Sequence, residues 1–398
     1  MATKSQHAPR YDKARSADIN AAARLVTLAF AGSMEVSIRW IKANGLKNWR
    51  LVRDGRNVVA CLRRIEMGQF FGGRRVSLIG VAGVATAPES RGRGHARMLM
   101  ESCVREMHED GAALGGLYAS TQALYRQSGF EQAGHRFVAR IPVARLAIGP
   151  KKRNIVALTE ADQPRIVSCY QRFAPTHNGL LDRGEYIWKR IRERPDTKYL
   201  PYGVPGERGQ LDGYLFMAQA RDPQTMRQEL ILSDLVFHSA DAARQLIAFL
   251  ADFEPMADTL VFTGGPLHPI LTLLPQQRFE VKLKEYWMLR IVNITKALQE
   301  RGYSPAIRGS VVLRVTDDLI DANAGTWRLD VEAGEGRLRR VAGGSAVSCD
   351  IRGLAALYTG LLTPRQAAQI GLCAGDDRSL DTLGAIFAGG TPWMGDQY

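Results

Sequence analysis

Two groups of residues between positions 78 and 130 have types and spacing suited to chemistry. A glycine-rich turn, Arg91-Gly92-Arg93-Gly94-His95-Ala96, follows an apolar segment and precedes an amphipathic one. Backbone amides at a helix start have no partner within the helix, and glycines let an anion approach them. Tyr125 follows downstream, and a phenol with a reference pKa of about 10 is a proton donor at neutral pH. This order predicts a site for a phosphorylated carrier beside a proton donor.

The elements around the turn support this interpretation. Residues 78–86 form an almost unbroken apolar run, which predicts a strand buried on both faces. From about residue 93 to 109, apolar residues recur at the spacing of one helical face, so the turn opens a helix. A P-loop motif is absent, and a dinucleotide fingerprint starting at Gly92 would require a small residue where Arg97 stands. The alternative is an ordinary strand, turn and helix whose glycines only relieve backbone strain.

Length and composition bound the other possibilities. A chain of 398 residues is expected to form two or three domains. No apolar run approaches a membrane-spanning length, and we expect a cytoplasmic protein with no membrane partner. The five scattered cysteines are expected to be reduced core thiols, and no metal-ligand spacing occurs. The net charge of +13 is spread along the chain, which favours a solvated surface over a nucleic-acid site.

The same order of predicted elements occurs twice, which indicates one fold used twice. The first copy ends with Phe130-Glu131 and a strand to Ile141, and the second ends with Phe279-Glu280 and a strand to Ile291. We expect domains over 1–150 and 151–292, followed by a small α+β domain over 293–398. The second copy lacks the glycine-rich turn and the tyrosine, so it is expected to wall the cleft rather than hold the cofactor. Its His238 is interpreted as a helix cap.

These motifs resemble those of a known family. Arg-x-x-Gly-x-Ala between a buried strand and an amphipathic helix, with Tyr125-x-x-x-Gly129-Phe130 downstream, resembles the GCN5-related N-acetyltransferases. Residues 326–331, residues 354–360 and Pro392-Trp393 resemble the sterol-carrier-like domain of the Eis family within that group. The resemblance implies an α/β (α+β) fold: two tandem acetyltransferase folds and a small sterol-carrier-like α+β domain. It also implies a homo-oligomer, a hexamer.

The resemblance further implies an acetyl-CoA-dependent N-acetyltransferase without a metal. Its acceptor would be a primary amine of an aminoglycoside, a polyamine or a lysine side chain. Tyr125 would protonate the departing thiolate, and the terminal carboxylate of Tyr398 would act as the base. The implied cofactor-binding positions are Val84, Ala85, Thr86, Gly92, Arg93, Gly94, His95, Ala96, Arg97, Ser120 and Thr121.

Several alternatives stay open at this point. Trp40 and Glu35 lie where this fold usually frames the acceptor, but Trp40 also suits core packing and Glu35 a solvated helix face. The family usually ends in phenylalanine with an acidic residue shortly before it, whereas this chain ends Gly395-Asp396-Gln397-Tyr398. Two other functions remain: a non-catalytic acyl-CoA-binding regulator, and a carrier of an apolar ligand in the last domain.

Overall fold

One thirteen-stranded sheet runs through both repeats, and a separate five-stranded sheet forms the C-terminal domain. The computed structural model describes residues 8–43, 45–146, 153–221 and 226–398. The first repeat contributes β1 (Arg10–Lys13), α1 (Ile19–Phe30), α2 (Met34–Ala43), β2 (Trp49–Asp54), β3 (Asn57–Phe71), β4 (Arg74–Thr86), α3 (His95–Glu109), β5 (Leu114–Tyr118), α4 (Gln122–Arg126) and β6 (Glu131–Pro142).

The second repeat follows the same order with additional short strands. It consists of β7 (Val156–Ala157), α5 (Gln163–Phe173), β8 (Leu181–Asp182), α6 (Glu185–Arg192), β9 (Glu193–Arg194), β10 (Thr197–Lys198), β11 (Leu200–Pro205), β12 (Leu211–Arg221), β13 (Gln228–Phe237), α7 (Ala240–Ala251), β14 (Ala257–Gly264), α8 (Pro269–Thr272) and β15 (Glu280–Ile291).

The C-terminal domain packs helices against its own sheet. Its elements are α9 (Ile294–Glu300), β16 (Gly309–Thr316), β17 (Gly325–Glu332), β18 (Glu335–Arg340), β19 (Ala346–Asp350), α10 (Ile351–Thr359), α11 (Pro364–Gln369), β20 (Cys373–Ala374) and α12 (Asp377–Ile386). Helix α10 packs against β6 and β15 on one side and against β16 and β19 on another, so it is buried almost all round. Its apolar residues are therefore core, as expected for a helix between two sheets.

The two repeats exchange their last strands. In the large sheet the order is β1-β2-β3-β4-β5-β15-β6-β14-β13-β12-β11-β7. Strand β15 of the second repeat thus pairs with β5 of the first, and β6 of the first pairs with β14 of the second. Because backbone hydrogen bonds cross the junction, the repeats share one sheet rather than packing as two separate ones.

A gap opens in the sheet between β4 and β5. The two strands pair in parallel only from Leu78 with Leu114 to Val81 with Leu117. Beyond that point β4 continues to Thr86, while β5 ends at Tyr118. A register irregularity between β3 and β4 and a positive φ of 61° at Gly83 bend β4 away from its neighbour. Backbone groups of β4 after Val81 therefore have no partner on the β5 side.

Most local predictions agree with the structure, and one was wrong. Helix α3 begins at His95 and ends at Glu109, as the periodicity indicates. His238 is not a helix cap: the side chain of Ser239 accepts the N–H of Ala242 at the start of α7. His238 instead directs Nε2 to the carbonyl oxygen of Cys169 at 3.1 Å.

Two further expectations can be compared with the structure. The five cysteines are all buried free thiols, as expected. Within the described ranges, no single helix has the length and apolarity needed to cross a membrane, although the bent pair of residues 16–30 and 34–43 meets such a test by length and composition.

Candidate active site

The turn before α3 presents bare backbone to open space. Gly94 forms the N-cap with φ of 80°, and Gly92 has φ of 77°, so both adopt the left-handed conformation that favours glycine. A Cβ at either position would meet no heavy atom within 4 Å. Residues 91–94 are exposed, and the first turn of α3 carries no acidic side chain. This geometry suits the approach of an anion to the helix start.

The side chains of the predicted cradle differ in their surroundings. Arg93 is exposed, and Arg97 is exposed and paired with Glu101 at 2.6 Å. Ala96 is half-buried, and His95 is only 3 % exposed. Among the residues that the structure describes, the buried Nδ1 of His95 has no hydrogen-bond partner. This ring nitrogen is thus a buried polar atom at the helix start that the described protein residues leave unsatisfied.

The partly buried carboxylate of Glu106 ties helix α3 to the sheet. Glu106 pairs with Arg50 of β2 at 2.6 Å and with Arg64 of β3 at 2.9 Å, and it accepts a hydrogen bond from the Tyr11 hydroxyl. Burial by itself would raise the pKa of Glu106, but the hydrogen bonds from Arg50 and Tyr11 and the charge of Arg64 hold that pKa down to about 2. The helix start therefore has a defined position relative to β4.

The free edge of β4 carries the predicted segment Val84-Ala85-Thr86. Val84 and Thr86 are half-buried and Ala85 is buried, all beyond the last residue that pairs with β5. Trp40 borders this edge, because a Cβ at Gly83 would lie 2.8 Å from its ring. The same ring packs edge-on against Trp49 at 5.1 Å, so Trp40 lies between the core and the free edge of β4.

The structure does not bring Glu35 into the cleft. Its side chain is 86 % exposed and lies 3.8 Å from Arg39 on the same helix. Glu35 therefore lies on a solvated helix face and does not frame the acceptor.

Tyr125 lies on the α3 side of the gap. Its ring is buried and meets Phe130 edge-on at 6.4 Å. Burial raises the pKa of the phenol, and a hydrogen bond with Ser120, just after β5, acts in the opposite direction. The phenol is therefore protonated at neutral pH and points to the end of β5. Ser120 and Thr121 are both exposed there.

The exchanged strand also shapes the Tyr125 segment. Gly129 has φ of 81°, and a Cβ there would overlap the guanidinium of Arg290 on β15. Arg290 is fully buried and pairs with Asp317 of the C-terminal domain at 2.8 Å. Gly129 is thus required for a close approach between the first repeat and a strand of the second.

Tyr398 lies on the other face of the sheet at the same gap. A Cβ on Gly116 of β5 would come within 2.8 Å of its phenol oxygen, and one on Gly80 of β4 would come within 2.8 Å of its ring. The ring also meets Tyr118 at 5.7 Å. Burial raises the pKa of the Tyr398 phenol, which is therefore neutral. The last residue is ordered in the cleft rather than frayed.

The segment before Tyr398 is held by backbone bonds to both repeats. Pro392 accepts the N–H of His135 at 3.0 Å, and Met394 donates to the His135 carbonyl at 3.1 Å. Trp393 donates its N–H to the carbonyl of Asn178 at 3.1 Å. These bonds run the segment along β6 like a short added strand.

Side chains hold Asp396 and Gln397, the two residues before the last, and sequence reasoning missed these contacts. The Tyr118 hydroxyl donates to the carbonyl of Asp396 at 2.6 Å, and Arg190 Nε donates to the carbonyl of Gln397 at 2.8 Å. Arg183 pairs with the buried carboxylate of Asp396 at 2.9 Å and also binds Asp234 of β13 at 3.0 Å. The second repeat thus positions the terminus. No local motif marks Arg183 or Arg190, because their partners lie far away in sequence.

Among the described residues there is no group of three metal-ligating side chains placed to hold an ion.

Three family models match the chain: an acetyltransferase (GNAT) domain over residues 10–133, a second acetyltransferase (GNAT) domain over 179–291, and a sterol carrier protein domain over 294–395. Together they cover both repeats and the last domain, in the order expected from the sequence.

Whole-chain relatives agree with these models. A GCN5-related N-acetyltransferase from Anabaena variabilis is 32 % identical with a TM-score of 0.93, over 98 % of this chain and 100 % of that chain. A GCN5-related N-acetyltransferase from Kribbella flavida is 26 % identical with a TM-score of 0.86, over 98 % of each. The N-acetyltransferase Eis of Mycobacterium tuberculosis is 27 % identical over 79 % of this chain and 78 % of its own length.

The expected fold class, two tandem acetyltransferase folds followed by a sterol-carrier-like domain, is confirmed. The chain belongs to the Eis-like family of GCN5-related N-acetyltransferases, and it is an N-acetyltransferase.

Proposed function

We propose that the chain transfers an acetyl group from acetyl-CoA to a primary amine within the gap between β4 and β5. The observation that carries this proposal is the placement of two groups on opposite faces of one gap. Tyr125 packs beside Val81 and Leu117, whereas Tyr398 packs on Gly80 and Gly116. Both lie at the point where paired strands separate, which is where a thioester and an amine would meet.

The residues present fit acetyl-CoA in the first repeat. The backbone amides of 92–97 would hold the pyrophosphate at the start of α3, where the unpaired His95 Nδ1 offers a further polar contact. The free edge of β4 at Val84, Ala85 and Thr86 would bind the pantetheine and acetyl part as an added strand does. Ser120 and Thr121 line the opposite side of this cleft.

Tyr125 and the carboxylate of Tyr398 would divide the proton transfers. The amine nitrogen attacks the thioester carbonyl, a C–N bond forms and the C–S bond breaks. The terminal carboxylate orients the amine and accepts its proton, directly or through water; its reference pKa of about 3.5 makes it a weak base. Because burial keeps the Tyr398 phenol neutral, the carboxylate is the base of this residue. Tyr125 gives its proton to the leaving thiolate.

The second repeat would position the C-terminus and would take no part in the proton transfers. Its Arg183 and Arg190 hold Asp396 and Gln397, and thereby set where the terminal carboxylate lies.

The acceptor is a small-molecule amine or a lysine side chain, and we further propose a cytoplasmic homo-oligomer, a hexamer as in the family.

An amine panel tests the proposal. Intact protein is mixed with acetyl-CoA and single amines, free thiol is measured, and the acetylated amine is identified by mass. Thiol release that depends on an amine, with one acetyl group added per thiol, is the expected result. Tight acetyl-CoA binding without transfer to any amine would instead support a non-catalytic regulator.

A further inference from the structure

Three guanidinium groups, those of Arg63, Arg190 and Arg194, lie near the C-terminal segment, and none of them pairs with a carboxylate within the described ranges. Arg63 on β3 pairs in register with Ala82 of β4, and Ile65 pairs with Gly80, on which the Tyr398 ring rests. Because residues opposite each other in a sheet share a face, Arg63 lies on the face that carries Tyr398. Its guanidinium also lies 5.7 Å from the centre of the Trp40 ring, at the cleft wall.

Helix α6 continues the cluster toward the terminus. The ring of Tyr186 is covered by Arg63 at 3.9 Å, and Arg190, one helical turn further on, lies 5.9 Å from the same ring. Arg190 then donates to the carbonyl of Gln397, next to Tyr398. Arg63, Tyr186 and Arg190 thus form a continuous path from β3 to Gln397, the residue before the last.

Three carboxylates near this path already pair with other arginines. Asp396 and Asp234 bind Arg183, and Glu285 binds Arg136 at 2.7 Å. By contrast, over the described part of the chain, no carboxylate lies within ion-pair distance of Arg63, Arg190 or Arg194.

Within this cluster, Arg63 is the side chain whose burial and unpaired nitrogens argue most for a bound anion. It is only 3 % exposed, and its Nε and Nη1 have no hydrogen-bond partner among the described residues; the buried Nε of Arg194 is likewise unpaired. Burial lowers the pKa of Arg63 and of Arg194 and outweighs the opposite effect of the neighbouring phenols of Tyr186 and Tyr199, although arginine stays charged. A buried, unpaired guanidinium is costly, and an anion would satisfy it.

We infer that the acceptor cleft binds a substrate bearing a carboxylate or phosphate, with Arg63 and Arg190 as its partners. This inference rests on the proposed function and narrows it: a polycation would meet like charges here, whereas an amino acid or another acidic amine would bind. The anion lies on the acceptor or on the acyl group of the thioester, since both meet at this gap.

Matched substrates test the inference. ω-Amino acids are compared with their carboxamides and with polyamines, all with acetyl-CoA. In a further arm, succinyl-CoA is compared with acetyl-CoA, using a monoamine that carries no other charged group. We expect kcat/KM to favour the carboxylate by about 10- to 100-fold, the range of a hydrogen bond to a charged group. A preference in the first comparison places the anion on the acceptor, and one in the succinyl arm places it on the acyl group.

Variants separate binding from folding. Arg63→Met should remove the preference by raising KM for the acidic substrate alone, while Arg63→Lys retains part of it. Arg308→Met, whose side chain is 83 % exposed in the C-terminal domain, is the matched control. Equal or better use of polyamines, unchanged by Arg63→Met, would overturn this inference while leaving acetyl transfer intact. If the wild-type protein transferred acetyl to none of these amines, the proposed function itself would be contradicted.

Discussion

The phenol of Tyr398 rests directly on Gly116, and the absence of a side chain on that glycine is what makes room for it. A Cβ on Gly116 would lie 2.8 Å from the phenol oxygen, closer than real Cβ contacts come. Gly80 on the neighbouring strand makes the same allowance for the ring. Two parallel strands thus lack side chains at the one place where the last residue docks.

Gly116→Ala is expected to displace Tyr398 and lower kcat by roughly 10- to 100-fold, since small misplacements of a catalytic group have effects of this size. Acetyl-CoA affinity should remain close to that of the wild type. Tyr398→Phe retains the carboxylate and removes the oxygen that the new Cβ meets. The double variant should therefore recover most of the lost turnover, measured as steady-state kcat. No recovery in this cycle would show that the contact does not set the position of the terminus.

Tyr125→Phe is expected to lower turnover by about 100-fold, the usual size of one acid-base group, because the thiolate loses its proton donor. The phenylalanine ring retains the packing against Phe130, so acetyl-CoA binding should stay intact. Tyr202→Phe is the control, since that ring packs on Phe249 in the second repeat. Unchanged turnover in Tyr125→Phe would remove this residue from the mechanism.

An extension of the chain by three residues after Tyr398 is expected to abolish transfer, because it converts the carboxylate of Tyr398, the proposed base, into a peptide bond. Thermal unfolding and acetyl-CoA affinity should change little. The same three residues placed before Met1 provide the control. A fully active C-terminal extension would contradict the terminal carboxylate as base.

Glu106 predicts an acid-sensitive part of the stability. Its folded pKa of about 2 lies below the usual value of 4.5, so the unfolded chain takes up the proton first as the pH falls. The stabilisation is present at neutral pH and is lost as the pH falls through this window, amounting to about 1 kcal/mol between pH 7 and pH 4. In urea titrations, the free energy of unfolding of Glu106→Gln should fall by about 1 kcal/mol less than that of the wild type between pH 7 and pH 4. Equal falls in both proteins would contradict the pairing with Arg50 and Arg64.

Local patterns predicted the elements of this chain, but not how its repeats join. The helix from His95 follows from a 3.6-residue apolar period and a glycine-rich start, and both depend only on neighbours in sequence. The exchange of β6 and β15 depends on which edge each strand finds, and their hydrophobic patterns are the same with either partner.

The sequence suggests residues for the cofactor side of the candidate site, but few for its acceptor side. The turn at Gly92 and Gly94 and the phenol of Tyr125 belong to compact motifs. The contact of Arg183 with Asp396 joins residues 213 positions apart, and a buried pair of this kind has no signature until the fold brings it together. Arg63 was missed for the same reason, because in sequence it is an ordinary strand residue.

Calorimetric titration of the intact protein with acetyl-CoA tests the central claim most directly. The expected result is one site per chain, located in the first repeat, and a roughly tenfold weaker affinity in Gly94→Ala. Gly55→Ala places the same strain on a left-handed turn residue, with φ of 58° and open space around it, and should leave the affinity unchanged. The absence of binding, or two sites per chain, would contradict the assignment of the cofactor to the turn before α3.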